Sequence, residues 1–239
     1  MTEPKSVEKR SSVVNLDNEE AVQRVVEECV LGLWDVVNNL TRLRPVKRDR
    51  YRVTIFGSAR AQSGSRPYEE VRRLASELAK MGCDIITGGG PGLMQAANEG
   101  AVLAGAGERD RSIGIRVDLD SEQGTNPFVR LLYQHRTFFS RLHHFVLLSD
   151  AFVVVEGGIG TTLETMMVWQ LLQVRKLYGI PLILIGGMWT ELVAWARTHM
   201  LSAQPNMASP VDMDIPRCVD NVDEAVALIR QHLSEWVRK

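Results

Sequence analysis

Cysteine is scarce in this chain: Cys29, Cys83 and Cys218 are the only three among 239 residues. They lie far apart and form no C-x-x-C, which argues against both a disulfide framework and a zinc site. An excess of charge of either sign is missing as well. Lys and Arg number 28 against 29 Asp and Glu, a formal net charge of −1. No whole-protein electrostatic case for nucleic acid or an anionic membrane follows from that balance. No apolar run approaches the roughly 18 residues that a membrane helix needs. The opening MTEPKSVEKRSS has no apolar core of the kind a secretory signal carries. A cytoplasmic protein with reduced thiols is the expectation. Histidine is also sparse. His143 and His144 are adjacent, so on a helix they point about 100° apart and cannot jointly grip a metal. No metal and no cofactor are expected.

What is present is an alternation. Residues 17–42 carry Val22, Val25, Val26, Cys29, Leu33, Val36, Val37 and Leu40 at helical spacing. The early acids and the late Arg42 and Arg44 suit the helix dipole. Pro45 ends this helix, and RPVKRDR reads as a linker. An N-terminal helical extension over 1–45 is therefore predicted, its apolar stripe packing on the domain or on a dimer partner. From Tyr51 onward, short strand-like runs at 51–57, 83–87, 112–117, 151–155 and 181–186 alternate with helical patterns. The helices are placed at 67–82, 93–105, 137–149, 161–178, 189–200 and 222–237. Such alternation indicates parallel strands buried on both faces. The expected fold over 51–239 is a doubly wound, mostly parallel, Rossmann-like α/β domain.

Ligands in such sheets bind at the carboxyl ends of the strands, and three loops there stand out. FGSAR, residues 56–60, offers Gly57 for close backbone approach and Ser58 for a hydroxyl, and also reads as an ordinary turn. TGGGPGLM, residues 87–94, brings Gly88, Gly89 and Gly90 to a helix start, with Pro91 read at the first helical position. Three consecutive glycines exceed what a turn needs, given the conformational freedom each loses on folding. EGGIGTTLE, residues 156–164, leaves the amides at Gly157, Gly158 and Gly160 unobstructed and adds hydroxyls from Thr161 and Thr162. Orphan N–H groups, a positive dipole end and hydroxyl donors make a phosphate cradle.

Glu164 has two readings on spacing alone. As part of Thr-x-x-Glu it can complete a capping box with Thr161. Alternatively its side chain tilts toward the helix N-terminus and leans over the loop mouth. Arg141, set among Phe138, Phe139 and Phe145, is either a snorkelling surface residue or a cation aimed at an anionic ligand. A P-loop lysine is missing from both glycine loops, and no G-x-G-x-x-G follows the first strand. ATP and NAD are poor guesses on those grounds.

TGGGPGLMQAANEGA, FFSRLHHFVLLSDAFVVV and EGGIGTTLE, in that order, resemble the LONELY GUY proteins, a family once labelled possible lysine decarboxylases. The resemblance runs over roughly residues 51–200. It implies hydrolysis of the N-glycosidic bond of a nucleoside 5′-monophosphate, a cytokinin riboside monophosphate or an AMP-like nucleotide, to free base and ribose 5-phosphate. It assigns catalysis to Arg141 and Glu164. Substrate binding falls to Ser58, Gly88, Gly89, Gly90, Met94, Gly157, Gly158, Gly160 and Thr161. A homodimer is implied, with the helix after Gly160 as a candidate contact. The 117–136 segment would help set the base, with His135 and Arg136 within reach. Two departures stand out: Glu156 occupies the family's usual proline position, and Leu142 follows the arginine where lysine is common. Both make the pocket less positive. The alternative on the same fold is a non-catalytic nucleotide or molybdenum-cofactor carrier. A pyridoxal-dependent decarboxylase needs a Schiff-base lysine, and none of Lys5, Lys9, Lys47, Lys80, Lys176 and Lys239 lies in a glycine loop.

Overall fold

Runs such as RVTIF, DIIT, AFVV and LILI are rich in β-branched and apolar residues, and each forms a strand buried along nearly its whole length. The computed structural model describes residues 16–40, 49–104, 112–118 and 124–237. Seven strands, β1 (Arg52–Phe56), β2 (Asp84–Thr87), β3 (Ser112–Val117), β4 (Leu131–His135), β5 (Ala151–Val154), β6 (Leu182–Ile185) and β7 (Pro216–Val219), build one sheet. Their order is β4-β3-β2-β1-β5-β6-β7, and every pairing is parallel.

The two edge strands lay outside the sequence expectation. Only the central strands are buried on both faces and read as continuous apolar runs. β4 alternates between half-buried and exposed positions and ends in Gln134 and His135. β7 is four residues long, opens on Pro216 and carries an exposed Arg217. An edge strand tolerates proline and charge because one side of its ladder is unpaired.

Chain contacts divide the protein into two units, residues 1–47 and 48–239. The first contains α1 (Glu19–Leu40). Asn18 caps this helix, its side-chain oxygen accepting from the Ala21 N–H at 3.1 Å. Pro45 and the linker read from the sequence fall outside the described residues.

In the second unit, α2 (Arg66–Lys80), α3 (Leu93–Ala104) and α7 (Val222–Val237) pack on one face of the sheet, around Val53, Ile55, Ile85, Leu74 and Ile229. α4 (Phe138–Leu148), α5 (Ile159–Gln173) and α6 (Gly187–Leu201) cover the other, around Phe56, Phe145, Phe152, Val168 and Trp189. Successive strand residues face opposite sides, so Ile55 and Phe56 serve different cores. The fold is the doubly wound α/β type. β1 hydrogen-bonds β2 on one side and β5 on the other, so the strand order reverses there and opens a crevice at the carboxyl ends.

α2 and α3 approach closely at Gly100, where a Cβ would overlap the Arg72 carbonyl and stand 3.1 Å from the Ser76 nitrogen. Both obstacles are backbone and cannot rotate away. Gly100→Ala is expected to cost about 1–3 kcal/mol, the usual range for overpacking. Gly187→Ala, in the open first turn of α6, is expected to be neutral or slightly stabilising. Thermal melts of the two variants check this contrast.

Candidate active site

The three loops read from the sequence meet at the crevice. After β1, the Ser58 N–H donates to the Glu156 carbonyl at 2.9 Å, and the Leu93 N–H donates to the Ser58 carbonyl at 2.8 Å. Ser58 is thus the backbone knot of all three loops. Its hydroxyl accepts from the Arg60 N–H at 3.1 Å, a local turn bond rather than a side chain aimed at a ligand. A Cβ on Gly57 would stand 2.6 Å from Val155 Cγ2 and 3.0 Å from Leu93 Cβ, so the first position of the knot has no room for a side chain. α3 begins at Leu93, which places Pro91 ahead of the helix rather than at its first position. Gly92 intervenes at φ +69°, a left-handed conformation that glycine adopts without strain.

Arg141 sits in the first turn of α4, behind the N-cap Thr137, whose Oγ1 accepts from the Ser140 N–H at 3.2 Å. Its guanidinium is gripped from several sides. Nη1 donates to Glu164 Oε1 at 2.9 Å, and Nε donates to the Ile115 carbonyl within β3, also at 2.9 Å. Cζ lies 5.1 Å from the Phe145 ring centroid, a cation–π contact. Gly88 makes room for it, since a Cβ there would stand 2.5 Å from Nη2 and 2.6 Å from the Met94 sulfur. Met94 also covers Gly90. The side chains of Arg141 and Glu164 are only 12% and 10% exposed, so the snorkelling alternative does not hold.

The capping-box alternative for Glu164 fails for a positional reason. Gly158 is the N-cap of α5 and no side chain caps it. Glu164 is therefore in the second turn, beyond reach of the N-cap amide, and its carboxylate turns to Arg141 instead. Thr161 is buried in the first turn. A Cβ on Gly157 would overlap its side chain, so that glycine is required by close packing. Thr162 bonds back to the Gly158 carbonyl at 3.0 Å. Gly158 and Gly160 differ from Gly157: a Cβ on either would meet nothing within 4 Å. Packing does not call for glycine there, and both positions are exposed. Glu156 is exposed and Leu142 half-buried. The charge of Glu156 is in water, where salt screens it.

The histidines form a cluster that sequence spacing alone did not disclose. His135, the last residue of β4, lies 3.0 Å through Nδ1 from Ser140 Oγ and 2.9 Å through Nε2 from His144 Nδ1. It pins the first turns of α4 on either side of Arg141. Burial, then the charge of Arg141, holds the His135 imidazolium below its usual range. His144, packed edge-on to Tyr133, is pushed down to about 4 by burial, then by His135, His143 and Arg52. Burial lowers His143 as well. Among the described residues no three His, Cys, Asp or Glu side chains gather as a metal site, and no helix is long and apolar enough to cross a membrane. The unfolded chain binds the His144 proton near the ordinary value of 6.5, whereas the folded protein resists it down to about 4, and His135 and His143 are shifted in the same direction. Stability is therefore full above about 6.5 and is lost as pH falls toward 4. Melting temperature measured across that window is expected to decline, and His144→Gln is expected to flatten the decline.

Comparison with known proteins adds to this geometry. The family model described as "Possible lysine decarboxylase" matches residues 94–229. The pyrimidine/purine nucleotide 5′-monophosphate nucleosidase of Escherichia coli K12 is 31% identical over 125 residues, 50% of this chain and 28% of that protein. The O157:H7 protein of the same name matches equally. The chain thus spans little more than a quarter of the length of these curated relatives. Among solved structures, the molybdenum cofactor carrier protein of Chlamydomonas reinhardtii superposes with a TM-score of 0.57 at 21% identity, covering 78% of this chain and 99% of that one. The molybdenum cofactor binding protein of Rippkaea orientalis gives 0.56 at 17%, covering 78% and 99%. At such identities these two likenesses speak for the fold. With the family match extending over more than half of its length, the chain belongs to the possible lysine decarboxylase family.

Proposed function

We propose that this protein hydrolyses the N-glycosidic bond of a nucleoside 5′-monophosphate, releasing free base and ribose 5-phosphate. The observation that carries this reading is the buried Arg141–Glu164 pair beside the open glycines at the start of α5. The phosphate would rest on the amides around Gly158, Gly160 and Thr161, where the helix dipole favours an anion. That puts the ribose within reach of Glu164. The nucleosidase relatives in Escherichia coli support the same substrate class.

Breaking the ribose–base bond builds oxocarbenium-like charge on the sugar, as in glycoside hydrolysis. The Glu164 carboxylate stabilises that charge and orients or deprotonates a water. The water oxygen bonds to C1′, the C1′–N bond breaks, and its electron pair leaves with the base, which takes up a proton. Arg141, held by the Ile115 carbonyl and by Glu164, fixes the carboxylate and counters negative charge on the departing base. Ser58 contributes through its backbone, Met94 lines Gly88 and Gly90, and Gly88 and Gly90 admit the arginine and the thioether. A non-catalytic carrier is the second reading, favoured by Glu156 and Leu142 where the family has proline and lysine.

Purified protein incubated with purine, pyrimidine and cytokinin-type monophosphates is expected to release free base. Glu164→Gln should lower kcat by about a hundredfold or more, the scale of an acid–base group, while the protein stays folded. Arg141→Ala should lose activity and also about 3–5 kcal/mol of stability, the usual cost of removing one partner of a buried ion pair. Nucleotide binding without base release from any substrate would replace the hydrolase with the carrier.

We infer in addition that a second copy covers the mouth-side faces of α4 and α5. Phe139 on α4 and Ile159, Leu163 and Met166 on α5 are exposed, Ile159 at 88%, and the LONELY GUY resemblance implies a homodimer. Leu163→Glu with Phe139→Glu should convert a dimer to a monomer in light scattering. A monomeric parent protein would remove the inference.

A further inference from the structure

The helix LMQAANEGAVLA places a polar residue, Asn98, on its buried face, and the structure shows what occupies it. Asn98 is fully buried. Its Oδ1 accepts from Thr87 Oγ1 at 2.6 Å and from Asn126 Nδ2 at 3.0 Å, while its Nδ2 donates to Ser112 Oγ at 2.8 Å. Asn126, 5% exposed, then reaches the glycine loop twice. Its backbone N–H donates to the Gly89 carbonyl at 3.0 Å, and its side-chain Nδ2 donates to the Gly90 carbonyl at 2.9 Å. The Gly89 N–H is engaged from the other end, donating to Thr87 Oγ1 at 2.9 Å.

These bonds decide which polar groups the loop shows. In a planar trans peptide the carbonyl and the following N–H point in opposite directions. With the Gly89 carbonyl turned inward onto Asn126, the Gly90 N–H of the same peptide points away from the buried amides. The Gly90 carbonyl precedes Pro91, so that peptide has no N–H, and Asn126 turns its lone acceptor inward too. Two carbonyls that would repel an anion are thereby withdrawn. Gly89 itself sits at φ +72°, with Gly114 Cα 3.3 Å from where a Cβ would stand.

We propose that Asn126 is a positioning residue: it sets the glycine loop so that it presents the Gly90 amide, and not the Gly89 and Gly90 carbonyls, to an oxygen of a nucleoside monophosphate. This deepens the hydrolase reading and rests on it. Thr87 and Asn98 anchor the same arrangement from beneath, and Asn126 links it to the 124–130 segment.

Two measurements on the full chain test this. In hydrogen–deuterium exchange without ligand, Asn126→Ala and the near-isosteric Asn126→Asp should speed exchange of a peptide covering 87–94 by about tenfold, the scale of one lost hydrogen bond. Peptides from β5 and α5 should not change. In kinetics on AMP, or on whichever monophosphate the parent cleaves best, Asn126→Asp should raise KM by about tenfold and leave kcat within about threefold, by the same scale. Thr87→Val should show both effects in smaller measure. Unchanged exchange at 87–94 in both Asn126 variants would overturn the proposal, as would a kcat loss with KM unaltered. If the parent protein cleaves no monophosphate, the hydrolase reading fails by itself, and the exchange experiment still decides whether Asn126 holds the loop.

Discussion

A carboxylate that is nine-tenths buried must be compensated, and in this protein Arg141 supplies a charge partner for Glu164. Desolvating both ions is expensive, and the geometry has to repay it. That requirement reaches into four elements. α4 must deliver the arginine in its first turn, α5 must start early enough to put Glu164 in its second, β3 must offer the Ile115 carbonyl to Nε, and the loop after β2 must be glycine at position 88. The His135–Ser140–His144 cluster serves the same end by tying the start of α4 to the edge strand. A charge pair of this kind holds its own orientation before any ligand arrives, which is the condition for electrostatic stabilisation of a transition state.

The glycines then sort into two classes with different physical causes. Gly57, Gly88 and Gly157 are bare because a neighbouring side chain occupies the space where a Cβ would lie. Gly57 lets the first loop press on the other two, Gly88 admits Arg141 and Met94, and Gly157 admits Thr161. Gly158 and Gly160 have empty space around them, so the entropic cost of glycine is not offset by protein packing. The cost becomes intelligible once a phosphate is placed against those amides. Sequence alone showed a cluster of glycines without distinguishing the two classes, because at Gly57 and Gly88 the distinction lies in neighbours far along the chain, Val155 and Arg141.

The central strands, both helical layers and the three loops were legible from two physical signals. Burial on both faces leaves continuous apolar runs, and clustered glycines are too costly in chain entropy to persist where nothing approaches the backbone. β4 and β7 were not legible, since an edge strand is half-exposed and its composition resembles a loop. Glu164 could not be separated from a capping residue by spacing, and two residues at the start of α5 decided the matter: the helix begins at Ile159 rather than Thr161. Asn98 and Asn126 escaped notice because a lone asparagine in a helix and an Asn-Pro dipeptide are each ordinary, and their bond to one another spans 28 positions. A polar residue on an otherwise apolar helix face, as Asn98 is in α3, was the one readable sign.

The charge arithmetic of the site bears on how it would hold a phosphate. Arg141 is committed to Glu164, so the pair is close to neutral, and Leu142 supplies no second cation. Glu156 adds a negative charge, though an exposed and screened one. Arg116 packs its stem against Gly89 and donates from Nη1 to Thr125, and in the proposed reading a phosphate would also draw on backbone: the amides at the start of α5, the dipole behind them and the amide of Gly90. Such binding is directional, since an amide in the wrong orientation presents a repelling carbonyl instead. That is why the buried asparagines bear on recognition in this reading: the orientation of each peptide group determines whether the loop turns an attracting amide or a repelling carbonyl toward the phosphate.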